Sequence, residues 1–287
     1  MAERRLGSHR LNAKLSAKLS AQQSTKQSAK QSTKQSAKQS AKQSPAPLAG
    51  DSLADFKVGV DNVIFSVDSD KRRLLVLLVM RQHEPFAGCW SLPGTLVRQG
   101  EALEAAAYRV LAEKIRVRHL YLEQLYTFGG PGRDPREAAD SFGVRYLSVS
   151  YFALVRYAEV EAIADFATDG AIGIAWYPFD RLPELAFDHD RIVQYGYQRL
   201  RNKLEYSPIA FDVLPESFTL SDLYQLYTIV LGENFSDYSN FRSRLLKLGI
   251  LLDTGVKVSR GAGRPASLYQ FDAIAFQQLE NKPLVFV

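Results

Sequence analysis

The chain has 287 residues, 46% of them hydrophobic, which is enough for a tail and one or two domains with real cores. Its net charge of +5 misleads: residues 1–50 carry ten Lys or Arg against one Glu, leaving 26 against 30 in residues 51–287. The folded part is slightly acidic, so overall charge excludes itself as an argument for nucleic-acid binding and only local clusters count.

One cysteine, Cys89, excludes a disulfide framework within the chain and points to a reducing compartment. No apolar run approaches the length of a transmembrane helix, and the N-terminus has no secretory apolar core. The expectation is a cytoplasmic protein with no membrane partner, at the nucleoid when bound to DNA.

Residues 14–44 repeat with period four: KLSA KLSA QQST KQSA KQST KQSA KQSA KQS. Lys, Gln and Ser bury too little to offset ordering entropy, so residues 1–51 are expected to be a disordered low-complexity tail. A polycation with non-specific DNA affinity and a transit peptide are alternatives; a tandem expansion without a role is preferred.

A first domain is expected over 52–206. VGVDNVIFSV (58–67), RLLVLLVM (73–80) and RYLSVSYFALV (145–155) read as strands, the second apolar enough to be buried on both faces. Glu101 to Arg116 reads as a helix, 173–185 as a strand entering a loop, and 186–206 as a long helix. Strands with helices on their faces make a layered sandwich.

Between strand and helix lies GCWSLPGTLVRQGE (88–101). Together with the helix it resembles the Nudix motif, G-x5-E-x7-R-E-U-x-E-E-x-G-U. Aligned on Arg109, the residues Glu101, Leu111, Glu113 and Val117 match, and W-x-L-P-G (90–94) is intact. Thr95, Val110, Lys114 and Arg116 depart from it. The resemblance implies Mg²⁺ held by carboxylates at i, i+3 and i+4 on one helix face, and here that face is Val110, Glu113 and Lys114. One carboxylate beside an ammonium is a poor metal site; Lys114 repels the ion or pairs with Glu113. No catalytic residue and no metal ligand are therefore expected, and no cofactor is required.

A pocket outlasts the loss of its metal. Arg81, Arg133 and Arg136 offer guanidinium forks for phosphate, and Phe86 and Trp90 offer rings for a base. Gly94, Glu113 and Asp134 complete the candidate effector set. Each has a bland reading: Trp90 as core, GGPGRDPR (129–136) as a plain turn, the arginines as partners of Asp134 or Asp140. Their clustering with W-x-L-P-G favours the pocket.

A second domain is expected over 207–287. SFTLSDLYQLYTIVLG (217–232) has helical spacing, a start at Thr219 or Ser221 and a stop at Gly232. The next helix, SDYSNFRSRLLKLG (236–249), has Ser236 as candidate cap; Tyr238, Phe241, Leu245 and Leu248 share one face. Asn240, Ser243, Arg244 and Lys247 share the other, with Arg242 beside it. A strand and a basic hairpin follow, with Arg260 and Arg264 at the tip, so residues 240–269 carry six Lys or Arg against one Asp. Two helices and a basic hairpin make a winged helix, and these seven polar residues are its candidate DNA contacts. A solvated cap or a protein-binding winged helix is the bland alternative.

Taken whole, the chain is similar to the Nudix-related transcriptional regulators of the NrtR type. The similarity rests on WSLPG (90–94), LAEK (111–114), LEQLYTFGGPGRDPR (122–136), LAFDH (185–189), FRSR (241–244), LLDTG (251–255) and GRPASLY (263–269). It implies an α+β chain: a Nudix-type α/β/α sandwich followed by a winged helix-turn-helix domain. It also implies a homodimer on double-stranded operator DNA, repression of NAD biosynthesis or salvage genes, and ADP-ribose or a related NAD metabolite as effector. The alternatives are an active hydrolase of ADP-ribose-like nucleoside diphosphates, a sugar-responsive regulator of the same architecture, and a ligand-binding module whose winged helix meets protein.

Overall fold

A computed structural model describes residues 53–115, 120–139, 143–156, 173–232, 235, 237–259 and 264–279. The repeat tail, Arg116, Asp140, Ser236 and Arg260 lie outside the described residues.

The first strand, β1 (Phe56–Asp68), decides the layering. Side chains alternate across a sheet. Val60 and Ile64 accordingly join one core, and Val63 and Phe65 the other. The next strand, β2 (Arg73–Met80), is buried from Leu74 to Val79, as its unbroken apolar run requires of a strand covered on both sides. Short strands β3 (Trp90–Ser91) and β4 (Gly94–Leu96) follow, then helix α1 (Leu103–Lys114), β5 (Glu123–Phe128), a turn of helix α2 (Arg136–Ala139), β6 (Arg145–Val155) and β7 (Ile174–Pro178). The sheet order is β3-β2-β1-β6-β5, with β4 against β1 and β7 against β2; β1 and β6 run parallel over eleven residues.

Helix α1 closes one face with Ala106, Ala107, Val110 and Leu111. Helix α3 (His189–Tyr206) closes the other with Ile192, Val193, Leu200 and Leu204, where Gly196 lets the backbone approach Val63 and Phe65. This is the α/β/α sandwich that the Nudix resemblance implies.

After the short helix α4 (Ile209–Asp212) come α5 (Leu220–Leu231), α6 (Tyr238–Lys247), the hairpin β8 (Leu251–Val258) and β9 (Ala266–Phe271), and α7 (Ala273–Gln277). Thr219 starts α5 through a reciprocal capping box with Asp222. Asp237 caps α6 by accepting from the Asn240 N–H. Phe218 pairs with Tyr269 in both directions and gives the hairpin a third rung. This is a winged helix-turn-helix.

The winged helix shares a core with the sandwich. Leu223, Leu226, Tyr227, Val230, Phe241 and Leu245 belong to the same apolar cluster as Val76 of β2 and Leu204 of α3. Two tyrosines lock α3 to α5. The Tyr227 hydroxyl donates to the Leu204 carbonyl at 3.0 Å, and the Tyr197 hydroxyl to the Val230 carbonyl at 2.9 Å. Both acceptors lie in a last helical turn, where carbonyls have no partner within their own helix. Each helix therefore caps the other. Among the described residues no helix is long and apolar enough to cross a membrane.

Candidate functional site

A cleft of about 190 Å³ opens where β1, β4, β6, the 133–136 loop and the start of α3 meet. Arg81, Gly94, Arg133, Asp134 and Arg136 of the sequence-derived set line it, together with Asp61, Tyr146, Ser148, Phe187 and His189.

Phe187 organises one wall. Its backbone takes φ 57°, which turns the ring into the cleft at the entry to α3. The Arg81 guanidinium lies 4.6 Å over that ring and is fixed by donating from Nε to the Pro85 carbonyl at 2.8 Å. Arg136 lies 4.2 Å over Tyr146 and 5.9 Å over Phe187. Stacked guanidinium groups keep their N–H edges for oxygen ligands. Burial, and then the charge of Arg136, press the Arg81 pKa below its ordinary value.

The 133–136 loop supplies two forks. Arg133 bonds Asp188 through Nε at 3.1 Å and Nη2 at 2.6 Å. Arg136 bonds the buried Asp134 through Nε at 2.9 Å and Nη2 at 2.5 Å. Both the pairing of these arginines and their place in a cleft are therefore present together. Asp188 is the N-cap residue of α3, yet its carboxylate faces Arg133 rather than the helix N–H groups.

Asp61 lies on the floor. It accepts from the Ser148 hydroxyl at 2.5 Å and sits 3.5 Å from His189 Nε2 and 4.0 Å from Arg133 Nη2. His189 Nδ1 accepts from the Leu92 N–H at 2.9 Å, which leaves the ring's proton on Nε2, facing Asp61. Burial alone would raise the Asp61 pKa, but His189, Ser148 and Arg133 outweigh it and hold it at about 2, against 3.8 for a free carboxyl. A depressed folded-state pKa gives stability that is full above the unfolded value and lost as pH falls through the folded one. Asp61→Asn is expected to lower stability by about 2 kcal/mol at neutral pH, since a tenfold change in proton affinity on folding is worth about 1.4 kcal/mol. Urea midpoints of wild type and variant should differ by a constant amount down to about pH 4 and converge below it. A gap that persists unchanged to pH 2.5 would refute this account of Asp61.

The rest of the sequence-derived set lies outside the cleft. Phe86 touches it indirectly, edge-on to Phe187 at 4.9 Å. Trp90 packs on Tyr177 at 5.1 Å and against the core, while its carbonyl accepts from the Ala186 N–H and so positions the loop that bears Phe187. Glu113 is exposed and meets Arg98 and Arg109, each at 3.5 Å, rather than Lys114. Lys114 instead donates to the Gly94 carbonyl at 2.6 Å. Arg109 forms a fork with Glu101 at 2.6 and 2.8 Å and holds the Glu101 carboxyl at about 2. Val110 is fully buried beneath α1. Asp61 and Ser148 were missed by sequence reasoning, although a carboxylate inside the apolar run VGVDNVIFSV was a visible signal. Phe187 and His189 fell within LAFDH without being assigned roles.

On α6, Phe241 and Leu245 are buried and Leu248 is half-buried, whereas Tyr238 is largely exposed and rests edge-on against Tyr224. Asn240, Arg242, Ser243, Arg244 and Lys247 are all exposed, and Arg264 is exposed where β9 begins. The helix thus carries a packed side and a donor-rich side, with Arg244 and Lys247 in its last turn, where the helix dipole favours cations.

Comparison with known proteins agrees with both halves. Residues 56–196 match the NUDIX domain and residues 206–287 match the AraR C-terminal winged HTH domain. The "ADPR responsive transcriptional repressor NtrR" of Acinetobacter baylyi is 34% identical over 216 residues, which is 74% of this chain and 80% of that protein. An ADP-ribose pyrophosphatase of Methanocaldococcus jannaschii is 31% identical over 145 residues, 50% of this chain and 75% of that protein. Among solved structures, Shewanella oneidensis NrtR complexed with a 27mer DNA superposes with a TM-score of 0.63 at 34% identity, covering 77% of this chain and 95% of that one.

Proposed function

The chain belongs to the NrtR family of Nudix-related transcriptional regulators, and we propose that it is a cytoplasmic repressor that releases operator DNA when its cleft takes up ADP-ribose or a related NAD metabolite. The observation that carries this reading is a cationic, aromatic cleft in a Nudix-type sandwich whose last helix is locked to a winged helix. Arg81, Arg133 and Arg136 suit a diphosphate, and Phe187 and Tyr146 suit a base or ribose face. The relative named ADPR responsive supports that ligand class. The operator genes of this reading are those of NAD biosynthesis or salvage, and the acting species is a homodimer spanning two half-sites about one helical turn apart.

The Nudix helix holds no catalytic centre in this reading. Val110 is buried, Glu113 is engaged by two arginines and Lys114 is bound to a carbonyl. The residues therefore do not fit a divalent cation, and the ligand is held rather than cleaved.

Coupling runs along α3. Its eighteen residues span about 27 Å at 1.5 Å per residue. His189 and Asp188 stand at the cleft end, while Tyr197, halfway along, and Leu204, in the last turn, meet the winged helix. The cleft is smaller than the roughly 300–1,000 Å³ usual for small-molecule sites. A phosphate taken up between Arg133 and Arg136 widens the cleft at the start of α3, beside Asp188, and re-seats that helix. By linkage, an effector that weakens DNA binding must bind the DNA-free form more tightly.

The test is fluorescence anisotropy on a duplex selected from a random pool, titrated with ADP-ribose, followed by chromatography of the nucleotide. Release with ADP-ribose intact is expected. AMP and ribose 5-phosphate in catalytic amounts would instead establish the hydrolase reading, for which the archaeal pyrophosphatase relative speaks.

A further inference from the structure

We propose that the Lys114 ammonium is the built-in cation that meets the effector's diphosphate, so that the ligand binds with no divalent metal. This rests on the effector reading above and adds the residue and the metal independence.

The first support is where Lys114 stands. The resemblance assigns the face of Val110, Glu113 and Lys114 to a metal in the hydrolases. Among the described residues no group of three or more His, Cys, Asp or Glu side chains is placed to hold one. On that face Val110 has sunk into the core, and Glu113 turns outward to Arg98 and Arg109. Lys114 alone turns inward, to the Gly94 carbonyl at 2.6 Å, on the residue that lines the cleft beside Asp61.

The second support is how the ammonium is held. A Cβ on Gly94 would lie 1.9 Å from Asp61 Oδ1 and 2.9 Å from the Val60 carbonyl, so only glycine brings this carbonyl into place. An ammonium has three donors. Among the described residues the bond to Gly94 is the one hydrogen bond Lys114 makes, which leaves donors for a ligand oxygen.

The third support is charge. In the cleft and directly beside it, Arg81, Arg133, Arg136 and Lys114 stand against Asp61, Asp134 and Asp188, four cations against three carboxylates. Burial and the neighbouring Arg81 already press the Lys114 pKa down, so the ammonium is under-compensated where it stands. A diphosphate relieves that excess through charge-assisted hydrogen bonds. An ammonium neutralises phosphate charge without generating a bound hydroxide, which is what a sensor that keeps its ligand needs.

The test is calorimetry of the full chain with ADP-ribose, in EDTA and in Mg²⁺, for wild type, Lys114→Gln and Lys114→Arg. The expected result is one wild-type Kd in both buffers. Lys114→Gln should weaken binding about 10- to 100-fold in both, the worth of one hydrogen bond to a charged group, and Lys114→Arg should recover most of it. Loss of wild-type binding in EDTA, or a Gln variant that binds like wild type, overturns the proposal. Absence of wild-type binding in both buffers overturns the effector reading itself. Melting curves check the variants' fold; should the Gln variant not fold, the wild-type comparison between buffers still decides.

Discussion

Replacing Arg242 and Arg244 together by Ala is expected to lower affinity for operator DNA by about 100-fold or more and to leave ADP-ribose binding unchanged. Both side chains stand on the exposed side of α6, and the residues that seat the helix, Phe241 and Leu245, point the other way. The Asp237 cap is untouched. Loss of stability is therefore small, a few tenths of a kcal/mol from removing a cation near the helix C-terminus. A bidentate base contact is worth about 1–3 kcal/mol of discrimination, so losing two good contacts reaches two orders of magnitude or beyond. The single variants separate roles. A phosphate contact weakens all sequences alike and flattens the salt dependence, whereas a base contact relaxes preference at one position. Anisotropy at fixed ionic strength on cognate and scrambled duplexes makes the distinction. Affinity within threefold of wild type for the double variant would mean that α6 is not the reading helix.

The elements that pattern alone predicts are those with one dominant period. β1, β2, β6, α3, α5 and α6 fall within a few residues of their expected bounds because each buries a continuous face. The strand β5 was not anticipated. Its sequence EQLYTF has two polar residues at the start, a bulge between Gln124 and Tyr126, and an edge position that leaves Tyr126 half exposed. Edge strands carry weak alternation because one side has no neighbour to demand it. The α6 cap falls on Asp237 rather than the expected Ser236, one residue along a Ser-Asp pair in which either side chain is a good cap.

The cleft was half legible. The arginines and Gly94 announced themselves through chemistry and motif, but Asp61 and Ser148 come together only because β1 and β6 run parallel in one register. That register is a long-range fact that no local window contains. Trp90 illustrates the opposite error risk: a ring beside a motif invites a stacking role, yet its side chain packs on Tyr177 and its carbonyl places Phe187. Lys114 was legible as a departure from the motif, whereas its bond to the Gly94 carbonyl was not, since β4 folds back onto β1.

Arg133→Ala combined with Arg136→Ala should leave operator binding in place and abolish its relief, with the Kd for ADP-ribose rising about 100-fold or more. Each fork is worth about 1.5–3 kcal/mol when it meets a charged group, and the two act on the same phosphates. The substitution also strips partners from Asp134, which is 2% exposed, and from Asp188, so some loss of stability accompanies it. Arg133→Lys with Arg136→Lys removes that ambiguity. A lysine keeps a charge beside each carboxylate but has no planar fork for a phosphate. If the forks carry recognition, the Lys pair folds like wild type, binds DNA like wild type, and answers ADP-ribose weakly. If α3 carries the signal, a variant that binds ADP-ribose normally yet ignores it is also obtainable, by Tyr197→Phe with Tyr227→Phe, because those hydroxyls join α3 to α5. A Lys pair that still releases DNA at wild-type ADP-ribose concentrations would place the diphosphate elsewhere in the chain, and would remove the cleft from the regulatory path.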